Sequence, residues 1–214
     1  HELKNPLASL KTSNELLSEN QIKPDDKILL FKNIAKDINR MNLLISDISE
    51  YTRTQAELEK QKFEEFNIPD FINDFISSFI NNEKKINILF DAKDADLIVQ
   101  TNIDKLAQVF INIIENAISF SPLHSKILIR LFCENNKAII IIADQGPGLS
   151  KKLKNKIFER FYTDRDDKND YHTGLGLSIS KKIMESLGGS LDLYENSING
   201  YNGACFKLEL PIKD

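Results

Sequence analysis

Tryptophan is absent from these 214 residues, and cysteine occurs only twice. Cys133 and Cys205 stand in strand-like apolar runs without metal-type spacing, so both are expected as buried, reduced core residues, which points to the cytosol. No apolar run approaches the roughly 18–20 residues that span a bilayer, and no leader of the secretory type is expected. Because the chain nonetheless opens on a histidine with a suggestive setting, it is expected to be a piece of a longer protein whose upstream part could contain membrane spans. There is no block of Lys and Arg interleaved with aromatics, and 28 basic against 32 acidic residues leave a net charge of −4. Nucleic acid is therefore not expected as the partner. The phosphate-binding pattern GxxxxGK[ST] occurs nowhere, which excludes the usual P-loop.

What is present falls into two parts. Leu3, Leu7, Leu10 and Leu17 recur at helical spacing and predict an amphipathic helix over residues 1 to about 20, with Pro6 expected to bend it. A polar turn over Glu19–Asp26 follows, with Pro24 opening a second helix. There Phe31, Ile34, Ile38, Met41, Ile45, Ile48 and Thr52 alternate three- and four-residue steps, a heptad stripe that needs a partner. A lone hairpin buries little, so two copies closing a four-helix bundle is the expected solution. The interdomain linker is expected in or just after the polar run 52–62. Strands are then expected near 63–66, 86–91, 97–101, 127–133, 138–143, 190–194 and 205–210. Helices are expected near 69–81, 103–120 and 175–187. The fold class is α+β multidomain: an antiparallel helical hairpin over 1–60, then an α/β sandwich over 61–214 with helices on one face of a mixed sheet.

The opening HELKNP carries chemistry. On a helix His1 and Asn5 share one face, and Glu2 stands beside the imidazole. A neutral imidazole has one ring nitrogen free as nucleophile, while a neighbouring carboxylate fixes the tautomer and takes up the proton. By themselves the six residues also describe an ordinary exposed helix.

Four further pieces follow in order. In NIIEN, Asn112 and Asn116 share one face of an otherwise apolar helix, and two amides there need polar partners. Mg²⁺ with its waters and ATP phosphates would supply them; capping of neighbouring loops fits as well. In DQGPG, after the strand AIIIIA, Asp144 can accept from an exocyclic amine while Gly146 and Gly148 let a flat ring approach. A plain strand with a Pro-Gly turn is the alternative. IFERFY sets Phe158 and Arg160 before a charged segment, Thr163–Thr173, that has the composition of a lid or of a solvated loop. Last, Gly174-Leu175-Gly176-Leu177-Ser178 opens a helix whose free N–H groups make a seat for phosphates.

Together these motifs resemble the sensor histidine kinases of two-component systems over essentially the whole chain, with HE-x-x-[TN]-P as the phosphoacceptor box. The ATP-binding part is similar to gyrase- and Hsp90-like ATPases. The resemblance implies that His1 accepts the γ-phosphoryl of ATP, that Asn116 is the Mg²⁺ ligand with Asn112 helping to hold the phosphates, and that Asp144 reads adenine. It further implies that Phe158 anchors the lid edge, that Arg160 reaches the transferring phosphate, and that Asn5 orients water in a reverse, phosphatase reaction. A homodimer, a response regulator as partner, and the cytoplasmic part of an inner-membrane sensor are implied with it. Ser119 and Phe120 depart from the pattern, since many relatives carry a cation and a Tyr there. An ATPase without phosphotransfer and a nucleotide-switched dimeric scaffold are the two rival readings.

Overall fold

The computed structural model describes residues 4–18, 23–57, 62–79, 85–94, 96–154, 156–162, 174–196 and 198–213. The chain divides into two compact units, 1–56 with 159–175, and 57–158 with 176–214.

The first unit contains two helices, α1 (Lys4–Leu17) and α2 (Pro24–Glu57). In α1 the covered positions are Pro6, Leu10, Ser13 and Leu17, four- and three-residue steps along one face. Leu7, expected on the inner stripe, is instead 58% exposed. The helix passes through Pro6 without interruption. In α2 the heptad stripe splits in two. Ile34, Met41 and Ile48 are half-buried, whereas Phe31, Ile38 and Ile45, also seven residues apart, are exposed. Thr52 and its successors to Glu57 continue the helix into the polar run in or just after which the linker is expected.

The second unit is a sandwich. A five-stranded sheet of order β2-β4-β5-β7-β6 is formed by β2 (Asn87–Ala92), β4 (Lys126–Glu134), β5 (Lys137–Ala143), β7 (Cys205–Pro211) and β6 (Ser190–Leu193). Strands β2 and β4 run parallel and the remaining pairs antiparallel. A two-stranded sheet pairs β1 (Glu64–Asn67) with β3 (Ile98–Thr101), a pairing that local sequence did not announce. The helices are α3 (Ile68–Ser78), α4 (Ile103–Phe120), the short α5 (Lys151–Lys154) and α6 (Gly176–Ser186).

Each element has a local cause. Asn102 caps α4 by accepting from the Lys105 N–H at 2.9 Å, satisfying one of the orphan donors of a helix start. Leu106, Val109, Phe110, Ile113, Ile114 and Ala117 then bury one face of α4. Phe71 and Phe75 meet the Phe110 ring edge-on at 5.2 and 5.3 Å. Asn135 and Asn136, with φ of +51° and +59°, make the two-residue hairpin turn between β4 and β5. Strand β5 is central and buried from Ala138 to Ala143. On its outer side Ile141 lies in register with Arg130 and Lys207, and Ile139 with Phe132 and Glu209. Long side chains flanking a strand can cover it with their stems while keeping their charges in water.

The cysteines correct an expectation. Both are free, but Cys133 is exposed and Cys205 only partly covered. Cys133 shares a strand face with the buried Ile129 and Leu131, yet it lies two residues from the hairpin turn, where the sheet runs out. No described helix is long and apolar enough to cross a membrane.

Candidate active site

Helix α4 runs past two of the clusters that the sequence singled out. Asn112 is half-buried, and its Nδ2 donates to the Gly176 carbonyl at 3.3 Å and to Ser180 Oγ at 3.1 Å. A carbonyl only accepts, so the amide orientation is fixed and Asn112 keeps acceptor capacity alone on Oδ1. It thus braces α4 against the first turn of α6. Asn116, one turn further on, is also half-buried. Gly176 and Leu177 form the first turn of α6, and no acidic side chain stands there to compete for its N–H groups.

Eight residues after Asn112, about 12 Å along a helix axis, α4 ends at Phe120. Its carbonyl is 3.1 Å from the point where a Cβ on Gly146 would stand. Here lies Asp144, only 3% exposed. Its Oδ1 accepts from the Gly146 N–H at 2.7 Å and the Ala204 N–H at 3.2 Å. Burial pushes the Asp144 carboxyl up to about 6, against the two N–H bonds that favour its charge. The Cys205 thiol beside it is pushed up to about 12, first by burial and then by the Asp144 charge. Gly148 closes the turn with φ of +76°.

Sequence reasoning missed Gly203 and Ala204. The Gly203 N–H donates to the Asp144 carbonyl at 3.0 Å, and Asp144 N–H donates to the Ala204 carbonyl at 3.1 Å. A Cβ on Gly203 would stand 1.7 Å from Asp144 Oδ1 and 2.6 Å from the Gly146 nitrogen, so no side chain fits. The available signal was weak: a glycine ahead of an alternating strand, 59 residues from its partner carboxylate.

Phe158 packs edge-on against Phe206 with centroids 6.4 Å apart. Lys181 Nζ lies 4.7 Å over its ring and bonds Asp192 Oδ1 at 3.1 Å. In the other unit Arg160 is exposed and Leu175 is 2% exposed. Gly174 has φ of +72°, and a Cβ there would meet the Tyr162 carbonyl oxygen at 2.5 Å. Only glycine serves at that position, which holds residues 162 and 174 side by side.

Asn5 is exposed in the first described turn of α1. His1 and Glu2 lie outside the described residues, as do the lid expectation over 163–173 and His172. Among the described residues no group of three or more His, Cys, Asp or Glu could hold a metal ion. A metal here would lean on amide oxygens and on its ligand's own phosphates, a donor set that suits Mg²⁺, which commonly takes one or two protein oxygens and keeps its waters. The half-buried Asn116 fits that requirement.

Comparison with known proteins bears on both units. Residues 101–214 match the histidine kinase-, DNA gyrase B- and HSP90-like ATPase family, and residues 1–57 match the His Kinase A phospho-acceptor domain. The chain is 37% identical to the sensor protein ChvG of Rhizobium meliloti over 226 residues, covering 99% of this chain and 39% of that protein. It is 30% identical to the sensor histidine kinase WalK of Bacillus subtilis, covering 100% and 36% respectively. The chain thus spans about two fifths of these relatives. Among solved structures, the catalytic domain of the histidine kinase ThkA matches 71% of this chain and 96% of its own, with 32% identity and a TM-score of 0.61. ThkA in complex with the response regulator TrrA matches all of this chain and 59% of that one, with 27% identity and a TM-score of 0.70.

Proposed function

Because this chain belongs to the sensor histidine kinases of two-component systems, we propose that it binds Mg-ATP in the 61–214 domain and transfers the γ-phosphoryl group to His1 in the 1–60 domain. From there the group passes to an aspartate of a response regulator. The observation that carries the nucleotide half is Asp144, a buried carboxyl whose two described bonds both fall on Oδ1. Oδ2 is then the oxygen left to accept from the exocyclic amine of adenine. The amides at the start of α6 receive the phosphates, with Asn116 as the cation's protein ligand and Arg160 as a positive charge for the transferring group. Bound Mg²⁺ would neutralise charge on the phosphate oxygens.

In the transfer the bond from γ-phosphorus to its bridging oxygen breaks as one imidazole nitrogen of His1 bonds to phosphorus. Glu2 takes the proton from the other ring nitrogen. The protein's contribution is positioning and charge neutralisation. Asn112 favours transfer over plain hydrolysis, because a carboxamide, unlike a carboxylate, is too weak a base to take a proton from water.

A second copy of the chain is part of the proposal, supported by the exposed row Phe31, Ile38 and Ile45 on α2. In the whole protein this part lies on the cytoplasmic side of an inner membrane. Incubation with γ-labelled ATP is expected to leave acid-labile, base-stable label on the wild type and none on His1→Gln, which still binds ATP. Label on His1→Gln, or free phosphate as the only product of the wild type, would reject the reading.

A further inference from the structure

Gln145 stands between the carboxylate and the first glycine of DQGPG and has no part in the reading above. Its Oε1 accepts from the Lys126 backbone N–H at 2.8 Å, and its Nε2 donates to the Gly200 carbonyl at 2.7 Å. Lys126 can only donate there and Gly200 only accept, so the side-chain amide has a single orientation. One side chain therefore ties three distant segments together: the end of β5, the start of β4 and the connection between β6 and β7.

That connection packs against Asp144. Its tip is a turn closed by the Tyr201 N–H donating to the Ile198 carbonyl at 3.0 Å, with Gly200 at φ of +84°. Beyond the tip, the Asn202 carbonyl stands 2.8 Å from where a Cβ on Gly148 would lie. Next Gly203 donates to the Asp144 carbonyl, and Ala204 donates to Asp144 Oδ1. Two backbone bonds already tie residues 203 and 204 to Asp144, and the Gln145–Gly200 bond adds a third tie to the residues that fix which carboxylate oxygen is saturated and which is left over. Without the third tie the Ala204 N–H is held in line with Oδ1 by the ladder alone, and a loosened bond would give the carboxyl a second orientation, in which it no longer distinguishes an amine from a carbonyl on the base.

We propose that Gln145 is a positioning residue that sets adenine specificity by clamping the 198–204 loop against Asp144. This inference rests on the assignment of Asp144 as the adenine reader. The Gln145 bonds are solvent-exposed, so they add little to global stability, and their effect is expected in base discrimination.

The test is calorimetric binding of ATP and of inosine triphosphate, which has a carbonyl where adenine has the amine, to the full 214-residue chain. Wild type is expected to prefer ATP by about a hundredfold, because a carboxylate facing a carbonyl leaves both groups unpaired. Gln145→Leu removes both bonds, and Gln145→Glu keeps the acceptor for Lys126 while setting a charged oxygen against the Gly200 carbonyl. Either variant is expected to bring the preference below about tenfold, with a thermal midpoint within about 3 °C of wild type. A merely structural role would weaken both nucleotides by one factor and leave their ratio intact. If Asp144→Ala abolishes the preference while both Gln145 variants retain it, the inference is overturned and the nucleotide reading stands. If wild type binds no ATP, or Asp144→Ala keeps the wild-type ratio, the reading fails and takes the inference with it.

Discussion

Phe31, Ile38 and Ile45 of the helical unit are 55%, 46% and 51% exposed, whereas Ile113, Ile140 and Leu208 of the α/β unit are completely buried. The two sets are chemically alike, so hydrophobicity does not separate them. What differs is whether the same chain supplies the covering surface. A sheet with α4 and α6 packed together beside it closes its own core. The α2 helix carries two apolar rows of a heptad and covers one of them in the single chain. The α/β unit therefore buries its apolar face within one chain, and the helical unit has a surface suited to a second copy.

The contrast can be broken most decisively at that surface. The double variant Ile38→Asp with Ile45→Asp is expected to weaken self-association at least about a hundredfold, read by sedimentation, while ATP affinity stays within about twofold. Loss of ATP binding in the same variant would show that the two units are not separable in this sense. In the α/β unit, Ile140→Ala is expected to cost about 3 kcal/mol in denaturant unfolding. Ile38→Ala, measured in a monomeric background, is expected to cost less than about 0.5 kcal/mol. Equal costs would mean that the exposed row is covered within one chain.

A pH titration sharpens the comparison from the nucleotide side. The Asp144 carboxyl ionises near 6 in the folded protein against 3.8 ordinarily. Its raised value favours folding below the ordinary pKa, and that contribution is lost as pH rises through about 6. Adenine recognition runs the other way, since protonation of the free oxygen turns the acceptor into a donor. ATP affinity is therefore expected to fall about tenfold between about pH 7 and pH 5. Asp144→Asn, standing in for the protonated carboxyl, is expected to melt above wild type near pH 7, with the gap closing as pH falls toward about 4. A gap that widens on acidification would reverse the assigned sign. The smallest effect is expected at Asn5. Asn5→Ala should leave autophosphorylation near wild type while slowing decay of phospho-regulator about fivefold or more, since the amide would orient the attacking water. Unchanged decay would remove Asn5 from that step.

Much of this was legible in the residues. The apolar face of α4, the run that became β5 and the heptad of α2 each express a period that backbone geometry imposes, so 3.6- and 2-residue patterns disclose them. The glycine-rich and Asn-x-x-x-Asn pieces disclosed the likeness to an ATPase family through their residue types and order. Less legible was the end of α2: composition marked 52–62 only as polar, and the helix persists into it as far as Glu57 because nothing breaks it. Cys133 was misjudged because strand periodicity says which face a residue is on and not where the sheet ends.

By itself the sequence determined which segments form helices and strands, and which side chains could perform the chemistry, because those depend on local spacing and residue type. Only the tertiary structure decided that Asn112 donates to α6 and that Gly203 and Ala204 wall in Asp144. It also decided that Gln145 joins three segments. Apart from the Asn112–Ser180 bond, those contacts use backbone N–H and C=O groups, which nearly every residue carries, so no residue pattern marks them until folding brings the segments together.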